Sequence, residues 1–106
     1  MLHLSVETEK PKDWLVGPWN SSLSVSVGYA NKGINERHFH SQMYEVYLVA
    51  KGKSIAVVDD EELALEASDV LVIEPGEVHT FVDSSADYLH FVINTPVVPG
   101  DKHIVE

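Results

Sequence analysis

Residues 37–45 read RHFHSQMYE, and two of the chain's six histidines stand there with one residue between them. On an extended strand, side chains i and i+2 share a face, so His38 and His40 project together while Phe39 turns away. A rise of about 3.3 Å per residue sets their Cα atoms roughly 6.6 Å apart. From there two imidazoles can converge on one ion about 2 Å from each nitrogen. Ser41 to Tyr44 leaves room for a bend, after which Glu45 opens the run EVYLVA. In an antiparallel pairing its carboxylate returns beside the two rings. Taken alone, the pattern has a second reading, in which two histidines merely share a face.

A third histidine shifts that balance. Residues 75–79 read PGEVH. Pro75 fixes φ and Gly76 permits φ > 0, so the chain can reverse sharply before His79. His79 then opens the run HTFV and can face the same interior. Imidazole with carboxylate suits zinc, iron, manganese, nickel or copper. The chain has no cysteine, so any metal is held by nitrogen and oxygen, and disulfide and thiolate chemistry are excluded.

Around these residues the dominant period is two. Leu23, Val25, Val27 and Tyr29 alternate with small residues, which predicts a strand from residue 23, and Asn31 to Gly33 reads as a turn. The runs EVYLVA, SIAVVD, VLVI, HTFV and YLHFVIN follow, separated by LysGlyLys 51–53, the acidic cluster 59–62, GluProGly 74–76 and the polar stretch 83–87. Strands and turns at this spacing belong to an all-β sandwich or barrel. EELALEA, 61–67, contains helix formers but is short and uncapped, and reads as a short strand. The acidic residues 59–62 read as a solvated hairpin tip that also discourages edge-to-edge pairing. KPKDWLVGPWN, 10–20, reads as an irregular or edge segment that anchors itself by burying its rings. The alternative is that Trp14 and Trp19 face a partner subunit.

The totals narrow the function. A chain of 106 residues predicts one domain, and 44% hydrophobic with 23% charged residues is ordinary for a globular protein. A formal net charge of -10 speaks against nucleic acid and anionic membranes as partners. The N-terminus lacks a basic and apolar leader, and the apolar runs are too short to span a bilayer, so a cytoplasmic protein is expected.

In these residues the sequence resembles the cupin superfamily, and in particular its small single-domain conserved barrels. The first motif of the family is matched by Gly33, His38, His40, Glu45 and Gly52. The second is matched within SDVLVIEPGEVHTFVD, 68–83, by Asp69, Gly76 and His79. The departures are a spacer of four rather than five residues before His38, Ser68 for a glycine, Glu74 for a proline and Asp83 for an asparagine. None of these is a ligand position. The resemblance covers about residues 23–96. It implies a small jelly-roll (double-stranded β-helix) barrel, with an N-terminal arm 1–22, a barrel of about 23–96 and a C-terminal tail 97–106. It further implies one divalent first-row transition metal ion per chain (Fe, Mn, Ni or Zn), held by His38, His40, Glu45 and His79. Three histidines and one carboxylate leave coordination positions open to a small-molecule ligand or substrate. A homodimer, paired through sheet edges and outer faces, is also implied, with the arm a candidate for strand exchange.

Residues in phase with the ligands should line the site: Tyr47 and Val49 after Glu45, Phe81 and Asp83 after His79. Glu45 and Tyr47 are the catalytic candidates. Tyr29, Phe81 and His90 are the substrate-binding candidates, with stacking the alternative for Tyr29 and an edge position for His90. Asp83 and His90 are further candidates for an acid or base. Arg37 could also bind substrate near the barrel mouth, against surface solvation, and Met43 and Tyr44 could rim the opening, against core or interface packing. The last run offers Leu89, Phe91 and Ile93 as an apolar core face, leaving Tyr88, His90, Val92 and Asn94 outside or in the pocket. His3 and His103 are expected in solvent. Two functions fit. One is a metal-dependent enzyme acting on a small organic molecule, by dioxygenase or isomerase/lyase chemistry. The other is a non-catalytic module that senses or carries a small ligand.

Overall fold

The structure is a computed structural model that describes residues 1–106. It is all-β, with strands β1 (Lys12–Val16), β2 (Ser26–Ala30), β3 (His38–His40), β4 (Tyr44–Lys51), β5 (Lys53–Val58), β6 (Glu61–Glu66), β7 (Val70–Ile73), β8 (His79–Ser84), β9 (Leu89–Thr95) and β10 (Lys102–Ile104). They form two five-stranded sheets, ordered β1-β2-β9-β4-β7 and β10-β3-β8-β5-β6, and every pairing is antiparallel. This is the double-stranded β-helix. No helix is long and apolar enough to cross a membrane.

Turn chemistry sets the frame. Gly52, at φ 73°, reverses the chain between β4 and β5. Asp59, at φ 53°, does so between β5 and β6 and accepts from Val78 N–H through its carboxylate. The turn at 74–77 carries Gly76 at φ 88°, whose N–H donates to the His40 carbonyl. The turn before the third histidine is thereby tied to the strand of the first two. EELALEA is strand β6, and Glu61, Glu62 and Glu66 lie exposed along that edge of the second sheet. The acidic hairpin is thus split, with Asp59 and Asp60 in the turn and the two glutamates already paired.

Tyr47, Val49, Ala56, Leu65, Ile73, Phe81, Tyr88 and Val92 pack between the sheets as the core. Fully burying one such side chain stabilises by about 1.5–3 kcal/mol. The inward side of β4 is Glu45, Tyr47 and Val49, as the alternation predicts.

Four expectations are corrected. The strand expected from residue 23 starts at Ser26, and Leu23 is exposed. The rings of Trp14 and Trp19 are not buried: they are 48% and 62% exposed, and β1 is an edge strand held by pairing to β2. On β9 the inward set is Tyr88, His90, Val92 and Asn94, whereas Phe91 and Ile93 point outward and remain half-buried. Tyr88 and Val92 of this face join the core, while His90 and Asn94 are polar where the face borders a cavity. Lastly, the C-terminal tail is built into the fold, since β10 pairs with β3 from Lys102↔His40 to Ile104↔His38.

Candidate metal centre

His38 and His79 stand opposite each other in register on β3 and β8, and His40 lies two residues on. Three imidazoles therefore come from one sheet. Glu45 crosses from β4 of the other sheet. All four residues are buried, and one potential ligand atom from each falls within 4.8 Å of the others. The Nε2 atoms of His38, His40 and His79 lie 3.7, 2.5 and 2.9 Å from Glu45 Oε1.

The far side of each ring explains the aim. Nδ1 of His38 contacts the Glu36 carbonyl at 2.8 Å, Nδ1 of His40 the Asp101 carbonyl at 3.0 Å, and Nδ1 of His79 the Glu77 carbonyl at 3.0 Å. A carbonyl only accepts, so each Nδ1 carries the proton and each Nε2 turns a lone pair inward. Three lone pairs facing a carboxylate repel unless a positive charge lies between them. A proton can supply it. Burial disfavours charged His40, but the Glu45 carboxylate outweighs that and lifts the ring above its ordinary value. Burial likewise opposes ionised Glu45, yet the three histidines hold it far below the usual carboxylate range. A divalent cation fits the same place with the donor set of a first-row transition metal.

The residues around the centre divide clearly. Tyr47 donates its hydroxyl to Glu45 Oε2 at 2.9 Å, and burial followed by the Glu45 charge raises its pKa well above normal. The rings of Tyr47, Phe81 and His90 pack edge to face or tilted, with centroids 4.9–5.2 Å apart. The Tyr88 hydroxyl meets His90 Nδ1 at 2.7 Å and also bonds Ser54, so the two hydroxyls and the imidazole form one buried chain. Burial lowers the His90 pKa to about 4, and the ring is neutral at pH 7. A cavity of about 400 Å³ opens beside the centre, and its wall includes Tyr47, Phe81, His90, Val92 and Asn94, with Lys12, Trp14, Ile34 and Lys102 also lining it.

Not every candidate reaches this space. Tyr29 borders the cavity through its strand, but pairs with Phe91 in register, on the face away from His90. Its hydroxyl donates to the Glu7 carbonyl. Asp83 is exposed, because a register shift in the β5–β8 pairing breaks the alternation after Phe81. Arg37 is exposed and Met43 is buried, where its sulfur accepts from Val98 N–H. Tyr44 is 43% exposed on the outer face of β4. His103 is exposed and stacks on Phe39.

Two further residues bound the centre, and the second of them, Asp101, carries no local signal in the sequence. Asn94 lines the cavity directly opposite Glu45 in register. Asp101, 4% exposed, accepts from Ser41 N–H and hydroxyl, Gln42 N–H and Met43 N–H, and so pins the bend between His40 and Glu45. Those donors hold its carboxyl well below the usual range against the cost of desolvation.

No curated protein matches the chain in sequence. Solved structures with the same fold include a Streptomyces PAC13 variant bound to uridine, with 15% identity, a TM-score of 0.69, and coverage of 100% of this chain and 93% of that one. A cupin-like protein from Thermotoga maritima shows 22% identity and a TM-score of 0.75, covering 89% and 74%. A protein from Planctomyces limnophilus shows 21% identity and a TM-score of 0.73, covering 97% and 96%. A further PAC13 structure, with 15% identity, a TM-score of 0.68 and coverage of 98% and 92%, is described as a nucleoside dehydratase. At these identities the likeness shows the fold. The cupin domain family, however, matches residues 26–93, the segment that carries all four candidate ligands. With both sheets and both motifs in place, the chain belongs to the cupin domain family.

Proposed function

We propose that the protein is a metal-dependent enzyme acting on a small organic molecule by lyase- or isomerase-type chemistry. One divalent first-row transition ion (Fe, Mn, Ni or Zn) is held by His38, His40, Glu45 and His79. The observation that carries this reading is the shared tautomer: each ring is locked through Nδ1 so that Nε2 faces the common point. A cation there supplies Lewis-acid polarisation of a substrate oxygen. The residues supply the rest. Tyr47, kept protonated beside the ionised Glu45, can give its proton to a ligand oxygen in the cavity, and the phenolate then regains a proton from solvent. Phe81 packs beside Tyr47 and restricts water, and His90 lines the cavity with its neutral imidazole. That a protein of the same fold is a nucleoside dehydratase supports elimination of water as the first chemistry to try.

Metal analysis of the purified protein by ICP-MS tests the centre. About one ion per chain is expected, and the double variant His38→Ala/His40→Ala should lose it. Loss of water from nucleosides and sugars is then assayed with and without chelator. Turnover that survives metal removal overturns the metal dependence. Oxygen uptake by the iron form would redirect it to a dioxygenase. Ligand binding without turnover would make the protein a sensor or carrier.

The same protein is proposed to form a homodimer. Two apolar rows cross the outer face of the first sheet, Val27–Ile93–Val46–Val72 and Tyr29–Phe91–Leu48–Val70. Val70, Val72 and Leu48 are 62%, 51% and 38% exposed. Leu2, Leu4 and Val6 alternate along an exposed arm, the pattern of a strand awaiting a neighbour. A second copy, related by a two-fold axis, would cover both. Light scattering should give a dimer that Leu48→Glu/Val70→Glu converts to a monomer. A wild-type monomer at all concentrations would reject the dimer.

A further inference from the structure

Asn94 is the one residue whose burial the fold does not explain. It is 6% exposed, and its Oδ1 is shut off from solvent with no hydrogen-bond partner. Native folds rarely leave a buried acceptor unpaired, and doing so costs free energy. Asn94 stands opposite Glu45 on the neighbouring strand and lines the same cavity. Side chains paired this way have Cβ atoms about 4.5–5.5 Å apart, so the amide stands beside the Glu45 carboxylate on the cavity wall. The terminal torsion of asparagine is broad, so a bound ligand can select which end of the amide, oxygen or NH2, it meets.

Two further features lie along the same wall. His90, four residues before Asn94 on β9, lines the same cavity with its neutral imidazole. Trp14 lines the cavity and is half-exposed. Its ring packs against Gly28, where an added Cβ would meet Trp14 Cε3 at 2.7 Å and the Asp13 carbonyl at 2.9 Å, so glycine makes room for it. The charges along the cavity are mixed: Lys102 is paired with Glu36 at 2.6 Å, and Asp13 stands next to Lys12 in sequence. An aromatic platform, an unpaired amide and an uncharged imidazole, with no surplus of either charge, form a wall suited to a neutral polyhydroxylated ring.

We infer that Asn94 is a specificity-determining residue for a ligand carrying two adjacent oxygens, such as a sugar or nucleoside diol. One oxygen sits at the metal centre, the neighbouring hydroxyl donates to Asn94 Oδ1, and the ring rests on Trp14. This inference rests on the metal-centred reading above.

The test uses zinc-loaded protein with D-ribose and 2-deoxy-D-ribose as probes, followed by saturation-transfer NMR. Zinc content and the melting temperature of the chelator-treated protein are measured alongside. Wild type should favour D-ribose about tenfold or more, because a site built around a hydroxyl rejects its deoxy analogue. Asn94→Leu should keep its zinc, melt at the same or a higher temperature, and lose the preference. Trp14→Ala should weaken both sugars equally. A wild type that binds zinc but shows no preference overturns the inference alone. So does an Asn94→Leu protein that keeps the preference, melts markedly lower or fails to fold. A wild type that takes up no zinc or other first-row ion overturns the metal reading and this inference with it.

Discussion

His40 Nδ1 donates to the carbonyl of Asp101, 61 residues away, at 3.0 Å, while the Asp101 carboxylate takes donors from Ser41, Gln42 and Met43. One residue of the C-terminal segment thus orients a metal ligand and fixes the bend that follows it. Asp101→Ala strips a buried charged acceptor from three backbone N–H groups and a hydroxyl. It should destabilise the protein, since those donors lose a charged partner. Metal affinity should fall about 10- to 100-fold, as is usual when a group supporting a ligand is lost. Urea melts and competition with a chromogenic chelator measure the two effects. Unchanged metal affinity would show that the bend is held without Asp101.

Much of this site was legible in the sequence because its signals are local. A period of two puts His38 and His40 on one face, and a Pro-Gly turn sets up His79. Asp101 lacks any such signal: it meets the bend only because β10 pairs with β3. The face of β9 misleads for a related reason. Leu89, Phe91 and Ile93 are the more apolar set, yet the set with His90 and Asn94 points inward, because a cavity between the sheets takes the place of close packing there. The outer apolar set and the exposed valines of β7 then share one face.

His90 should make stability depend on pH. Its folded pKa is lowered by burial to about 4, against about 6.5 for an unfolded histidine. Between those values the unfolded chain binds the extra proton, so unfolding becomes easier as the pH falls. Nothing is lost above pH 6.5, and the loss is complete below about pH 4, where it reaches about 3 kcal/mol. The slope of stability against pH in chelator-treated protein should flatten over this window in His90→Leu. An unchanged slope would mean that His90 is protonated in the fold.

Tyr47→Phe removes the donor to Glu45 Oε2 and nothing else. The fold should survive, at a cost of about 1–2 kcal/mol for one buried bond to a charged group. Metal content should stay at the wild-type value, because the phenol is not a ligand. Turnover of whatever substrate the screen identifies should fall about 10²- to 10⁴-fold, the range typical of a lost proton donor. Full activity in this variant would move the proton-transfer role to His90.

Gly52 and Gly100 form a matched pair that separates backbone conformation from close approach. Both lie at left-handed φ, 73° and 75°. A side chain there costs about 1–2 kcal/mol from the local clash between Cβ and carbonyl. Gly100 has nothing within 4 Å of an added Cβ, so Gly100→Ala should cost that much and no more. At Gly52 an added Cβ would meet Tyr88 Cα at 2.8 Å, and that contact is backbone that cannot swing aside. Gly52→Ala should therefore cost clearly more, by denaturant melts of both variants. The displacement also falls on Tyr88, whose hydroxyl holds His90 Nδ1. Gly52→Ala should accordingly raise the His90 pKa toward its ordinary value, read from its imidazole NMR shift, whereas Gly100→Ala should leave it unmoved. Equal costs in the two variants would show that β4 and β5 can part at their hairpin without disturbing the wall of the cavity.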